Sequence, residues 1–312
     1  MHHIKHFTIF TSLFLFAHIS MAQLPHVSSG TFVRIDSFRS KYVTPRHIDI
    51  WLPKGFSRKK KYAVLYMHDG QMLYDSSTTW NKAAWDVDDA AATLMKAGTI
   101  MDVIVVGVWN GGSTRHPDYF PQKPYESLSP MEKDTVTAQL QRAGRTTQVF
   151  KPVSDNYLRF LVEELKPLID KSYPTLPDRP HTFVAGSSMG GLISMYAICE
   201  YPNVFGGAAC ISTHWPGLWS LDNNPVPQAF LAYLKQNLPD PESHKLYFDY
   251  GDQTLDALYP ALQRQVDEVM RSKGFSSNNW ITKYFPGQDH SELAWNRRLH
   301  VPLTFLLAPA KH

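Results

Sequence analysis

His181-Thr182-Phe183-Val184-Ala185-Gly186-Ser187-Ser188-Met189-Gly190-Gly191 decides how this 312-residue chain folds. Thr182 to Ala185 is a short apolar run that predicts a buried strand. Leu192 to Ile198 is apolar and long enough for a helix, stopped by Tyr201-Pro202. Between them lies Gly-x-Ser-x-Gly centred on Ser188. A serine on a sharp strand-to-helix turn is held proud of the sheet, with small residues two before and two after it because the two backbones nearly touch. Gly186 and Gly190 fill those places, and Gly191 adds room. A bare Gly-x-Ser-x-Gly is equally the mark of a glycine-rich turn, so its context carries the weight.

Outward from this point, strands and helices alternate. Thr31 to Phe38 and Pro45 to Pro53 predict two strands, the second with alternating His47, Asp49 and Trp51. Arg58-Lys59-Lys60-Lys61 is a solvated turn, and Tyr62 to Met67 a central strand ending at His68-Asp69-Gly70-Gln71. A helix over Lys82 to Lys96 and a strand over Met101 to Val108 follow. Residues 113–152 show no clear period and hold Pro117, Pro121, Pro124 and Pro130, which predicts an irregular cap insertion. Ser154 caps a helix through Asp170, bent by Pro167, with Leu158, Leu161, Leu165 and Leu168 as its core stripe. Beyond the serine come a strand at Gly206 to Ser212, a helix at Val226 to Leu238, a strand at Lys245 to Tyr250, a helix at Asp256 to Lys273, a strand at Trp280 to Phe285 and a helix at Glu292 to Leu307. Such alternation predicts a mainly parallel sheet covered on both faces, with antiparallel edge strands from the first pair and ligands at the carboxyl ends of the strands.

A 43% hydrophobic chain of this length buries a full core, and residues 23–312 form a single domain. The formal charge of +3 is too weak a bias for nucleic acid. Residues 1–22 have the form of a secretory signal: a basic start, an apolar run from Phe7 to Ile19, and small Ser20 and Ala22 before Gln23. The run is shorter than the roughly 20 residues that span a bilayer, so the mature protein is expected in the periplasm or outside the cell, without a membrane span. Cys199 and Cys210 fall at opposite ends of a helix and the next strand, which predicts two buried thiols rather than a disulfide.

Ser188 needs a base, and the base an orienting acid. His290, on the loop after the last strand, is the expected base. Asp256 and Asp252 both lie beyond the strand before it, and either can serve as the acid; Asp256 is preferred. The oxyanion of an acyl-transfer intermediate would be met by the backbone N–H groups of Met189 and Gln71. Trp109, Asn110, Arg115, His116, His214 and Trp215 all follow strand ends and are expected to rim the site. The aromatic residues suit sugar or phenolic rings, and Arg115 suits a carboxylate or phenolate. No close His, Cys, Asp or Glu set has metal-ligand spacing, so neither a metal nor a cofactor is expected.

Val64 to Gln71, Val105 to Asn110, Phe160 to Asp170, Gly186 to Gly191, Asp249-Tyr250-Gly251 with Thr254-Leu255-Asp256, and His290-Ser291-Glu292 with Trp295 and Arg298 together resemble one esterase family of the α/β-hydrolase superfamily. It includes enterochelin esterases, feruloyl and acetyl xylan esterases, S-formylglutathione hydrolases and mycolyltransferases. The resemblance implies an α/β-hydrolase fold and a Ser-acid-His triad. It also supports Asp256, although Asp252 stands here where relatives usually carry Thr. The expected function is an exported serine esterase acting on carbohydrate-linked acetyl or feruloyl esters, with a small-molecule or glycan ester as substrate. The alternatives are a periplasmic esterase for catecholate siderophores, an acyltransferase, and a non-catalytic glycan-binding protein. Oligomeric state is not legible in the sequence.

Overall fold

A computed structural model describes residues 24–309. The expected signal segment, 1–22, lies outside the described residues. Eight strands form one sheet: β1 Thr31–Phe38, β2 Arg46–Leu52, β3 Ala63–His68, β4 Val103–Val108, β5 Thr182–Ser187, β6 Gly207–Ile211, β7 Lys245–Tyr250 and β8 Trp280–Tyr284. Their order is β1-β2-β4-β3-β5-β6-β7-β8. The six strands from β4 to β8 pair in parallel, while β1 and β2 are antiparallel to their neighbours, as the sequence predicts.

Every residue of β3, β4, β5 and β6 is buried, which is why these segments read as continuous apolar runs rather than alternating ones. Tyr66, Val106 and Val184 point into one apolar layer with Leu161, Leu192, Phe230 and Val266. These come from the helical segments Ser154–Ser172, Met189–Glu200, Val226–Asn237 and Pro260–Ser272. Leu65, Met67, Val105 and Phe183 point the opposite way, onto Ala91 of Val87–Lys96 and Trp295, Leu303 and Leu306 of the C-terminal helices. This is the α/β-hydrolase architecture. The chain builds β4 on one side of β3 and β5 on the other, so the crevice between the carboxyl ends of β3 and β5 is the topological switch point.

Several elements depart from their expected bounds for local reasons. The first helix begins at Val87, not Lys82, because Lys82 and Asp86 take positive φ and Trp85 folds back, its N–H donating to the Met72 carbonyl at 3.0 Å. Residues 113–152 are largely helical rather than irregular, with helices Arg115–Tyr119, Gln122–Glu126 and Pro130–Arg142. The helix after Ser154 widens to a π-helix over Phe160–Leu165. Pro167 supplies no N–H to the turn before it, so the ladder there shifts register. The last helix is two, Glu292–Arg298 and His300–Leu307, with Pro302 in the first turn of the second. Cys199 and Cys210 are both free and buried, and burial pushes both thiols above their ordinary range.

Candidate active site

Ser188 sits between β5 and the helix Met189–Glu200 with φ 58° and ψ −120°. A non-glycine residue with this backbone is strained and persists only where its surroundings over-determine it. Here they do so through hydrogen bonds. Ser188 N–H donates to the Ile211 carbonyl (2.9 Å), and its carbonyl accepts from the N–H groups of Gly191 (3.0 Å), Leu192 (3.1 Å) and His214 (3.2 Å). The close approach demanded of small neighbours is real: a Cβ on Gly186 would lie 2.9 Å from the backbone carbon and oxygen of Gly190.

His290 follows β8. Its Nδ1 lies 2.6 Å from Oδ1 of Asp256, which is fully buried in the short 3-10 turn Thr254–Leu258 after β7. Asp256 Oδ2 accepts from the Ser212 hydroxyl and the Gly251 N–H, both at 2.7 Å. Burial alone would raise the Asp256 carboxyl. The hydrogen bond and charge of His290, with the Ser212 and Gly251 donors, outweigh it and hold the group below the ordinary carboxylate range. An ionised carboxylate only accepts, so the neutral imidazole carries its proton on Nδ1 and keeps the Nε2 lone pair for chemistry. Asp252, the other candidate acid, is half-buried and turned elsewhere: it accepts from the Tyr284 hydroxyl, from the Gly287 N–H (2.9 Å) and from Gln253 Nε2 (2.8 Å). It ties the loop that carries His290 rather than touching the ring.

On the β3 side, Asp69 takes a left-handed backbone (φ 56°) just before the short turn Gly70–Met72 that contains Gln71. Arg115 clamps its carboxylate with two hydrogen bonds of 2.7 Å, and Asn110 Nδ2 adds a third of 2.7 Å. Burial would lift the Asp69 carboxyl, but Arg115 and Asn110 hold it below its usual range. Asn110 N–H donates to Gln71 Oε1 at 3.3 Å. Arg115 and Asn110 therefore brace the turn, and two of the guanidinium nitrogens are already engaged. Trp109 is tied back by its own Nε1, which donates to Asp49 at 2.6 Å, and Arg34 lies 4.7 Å over its ring. Trp215 does not reach a rim at all: it is 2% exposed, packs on Phe248 and donates to Gln263 (2.7 Å). Following a strand end is not enough to place a side chain at the mouth of a site.

His214 is different. Its ring is buried and its backbone N–H reaches the Ser188 carbonyl, with Nδ1 3.0 Å from the Tyr259 hydroxyl and Nε2 without a partner among the described residues. Tyr259 stands edge-on to His290, with centroids 5.8 Å apart. On the other side His214 meets Trp219 (5.7 Å), which stacks on His116 (5.8 Å) and lies under Arg145. Burial, then the neighbouring His290, His116, Arg115 and Arg145, depress His214 well below ordinary histidine; burial and the arginines take His116 down to about 3. Both rings are neutral near pH 7. His116 stands at this wall as its place after a strand end predicts, whereas Trp219 lies in a segment with no signal in the sequence for it.

The family description "Putative esterase" matches residues 41–305. The chain belongs to the Putative esterase family. It is a carboxylic-ester hydrolase on the α/β-hydrolase fold. Among curated relatives, the endo-1,4-beta-xylanase/feruloyl esterase of Xylanibacter ruminicola is 23% identical over 259 residues, 80% of this chain but only 28% of that much longer protein. Among solved structures, a ferulic acid esterase superposes with TM-score 0.63 at 21% identity, covering 89% of this chain and 97% of the other. The enterobactin esterase FES of Shigella flexneri gives TM-score 0.63 at 16% identity, covering 90% of this esterase and 60% of that chain.

Proposed function

We propose that this esterase is an exported serine hydrolase that works through an acyl-enzyme on Ser188. The observation that carries the proposal is the 2.6 Å pairing of His290 Nδ1 with the buried Asp256, at the same end of the sheet as a strained serine turn. Ser188 Oγ attacks the ester carbonyl carbon while its proton passes to His290 Nε2. The developing oxyanion is met by the N–H of Met189, first residue of a helix and so without an intrahelical acceptor, and by that of Gln71. The tetrahedral centre collapses, the C–O bond breaks, and the alcohol leaves with the proton from His290. Water, deprotonated by the same imidazole, then frees the acid.

The substrate we favour is a carbohydrate-linked acetyl or feruloyl ester. His214, Trp219 and His116 make a polar aromatic wall suited to a ring-bearing group, and one curated relative and one similar solved structure are named as feruloyl or ferulic acid esterases. A catecholate-siderophore ester is the second reading, supported by the similarity to the enterobactin esterase. Export rests on the 1–22 leader pattern. Wild-type protein should hydrolyse p-nitrophenyl acetate and react with a fluorophosphonate, and Ser188→Ala should do neither. Equal rates for both proteins would end the proposal. Parallel digests of acetylated xylan, a feruloylated oligosaccharide and enterobactin would separate the substrates.

A further inference from the structure

We propose that Ser212 is a positioning residue that locks Asp256 against His290, and that Arg298 and Trp295 force its hydroxyl proton to do so. This rests on the serine-esterase reading above. Ser212 directly follows β6 and holds φ 39°, outside ordinary backbone for its type. Its Oγ has three neighbours. Trp295 Nε1 lies at 3.1 Å, Arg298 Nη2 at 2.7 Å and Asp256 Oδ2 at 2.7 Å. An indole N–H and a guanidinium can only donate. Both lone pairs of the hydroxyl are therefore taken by donors, and its single proton has one acceptor left, the Asp256 carboxylate. No rotation of the hydroxyl offers an equivalent arrangement.

The donors are themselves fixed. Arg298 is 3% exposed and reaches Asp249 through Nε (3.2 Å) and Nη2 (3.0 Å). Asp249 also accepts from the Ser212 N–H (2.9 Å) and the Tyr247 hydroxyl (2.9 Å). Trp295 packs edge-on to the His290 ring at 5.0 Å. The strand-end loop after β6, the turn after β7 and the first C-terminal helix thus meet at one oxygen. That oxygen fixes Asp256 Oδ2, leaving Oδ1 in plane for His290. The ionisable groups around the pair are His290 after β8, His214 after β6, Asp249 and Tyr247 on β7, Tyr259 after β7, and Arg298.

Because Ser212 touches neither substrate nor the reacting atoms, its loss should appear in kcat and not in KM. Ser212→Ala should lower kcat for p-nitrophenyl acetate by about 10- to 100-fold, the scale of a lost hydrogen bond to a charged group. KM should stay within about twofold. The acidic limb of kcat/KM should move to higher pH, since a carboxylate with one donor fewer holds the imidazolium more strongly. Ser212→Gly separates the hydroxyl from the backbone: glycine adopts φ 39° freely, so a role in shaping the turn would leave it near wild type. The proposal requires it to lose as much as Ser212→Ala. In an Asp256→Ala background, Ser212→Ala should cost less than about twofold more, because the two act as a unit. Wild-type kcat in folded Ser212→Gly, or a full additional loss in the Asp256→Ala background, would overturn it. If Ser188→Ala also kept its rate, the esterase mechanism would fall with it; an inactive Ser188→Ala beside an unimpaired Ser212→Gly would sink the positioning role alone.

Discussion

Gly251→Ala tests the link between backbone packing and catalysis most sharply. Gly251 ends β7 against the loop that carries His290. A methyl at this position would lie 2.0 Å from the Gln288 carbonyl oxygen, 2.7 Å from its carbon and 3.2 Å from Asp256 Oδ2. Carbon and oxygen normally stay at least about 3.3 Å apart, so Gln288 or Gly251 must move by more than about 1 Å. Gln288 cannot give way alone. Its carbonyl accepts from both Asp252 N–H (3.0 Å) and Gln253 N–H (3.1 Å), and His290 is two residues on. Gly251 cannot move without stretching its own 2.7 Å bond to Asp256. Either response displaces imidazole from carboxylate. A misplacement of about 1 Å costs about 10²-fold in rate, so kcat/KM for p-nitrophenyl acetate should fall by about that factor. The fold should survive, since overpacking costs about 1–3 kcal/mol. Gly287→Ala is the control on the same loop: its φ of 71° adds strain, but nothing lies within 4 Å of the new methyl, and activity should stay near wild type. A folded Gly251→Ala with kcat/KM within about threefold of wild type would show that the contact does not hold the pair in register.

Three further outcomes follow from the same structure. His68, His116 and His214 are buried and neutral, with pKa values taken down by burial to about 3 for the first two and well below the usual value for the third. The unfolded chain binds protons at these positions below about pH 6.5 and the native chain does not, so each should subtract up to about 1.4 kcal/mol of stability per pH unit as pH falls from there towards 3; urea titrations giving a flat stability between pH 6.5 and 4 would refute it. Arg115→Ala leaves the Asp69 carboxylate, only 14% exposed, without its bidentate partner, and should lower kcat about tenfold or more, with Arg115→Lys recovering little because an ammonium cannot replace the fork; full activity in steady-state assays of Arg115→Ala would show that the brace is not needed. Neither thiol should react with Ellman's reagent in the native protein, and both should react after denaturation, as absorbance at a fixed reagent excess would report.

How much of this was written in the sequence depends on how local the cause is. The serine turn was legible because strand, turn and helix are consecutive and each has its own pattern. The strands of the parallel sheet were legible as apolar runs, with ends within one or two residues of those observed. The helix Pro130–Arg142 was missed for a different reason. Only Val136, Thr137 and Leu140 are buried, too few to make a stripe. Its start was nevertheless encoded in Ser129-Pro130-Met131-Glu132, where Ser129 and Glu132 cap each other and Pro130 takes the first turn. Capping signals and hydrophobic periodicity are independent, and this helix carries the first without the second. Lys82 to Asp86 failed the opposite way, since its composition is helical while its backbone answers to Trp85 and the Met72 carbonyl.

The site divides along the same line. Ser188, His290 and the acid pair Asp256 and Asp252 could be picked out as candidates because they follow strands, and strand ends are readable, although the strand end alone left the two acids open. What surrounds them could not, because partners there are set by which helix covers which strand end. Ser212 and Arg298 are 86 residues apart and meet only once β6 lies beside β7 and the C-terminal helix folds over both. Trp215 and His214 are adjacent in sequence and follow the same strand, yet one is committed to Gln263 in the core and the other has a ring nitrogen with no partner among the described residues. The Ser212 hydroxyl states the general point in one atom. Its proton direction is set by two donors from a helix, an acceptor from another loop and a backbone torsion from its own strand end, so no single segment carries the information and no single segment can be redesigned without the others.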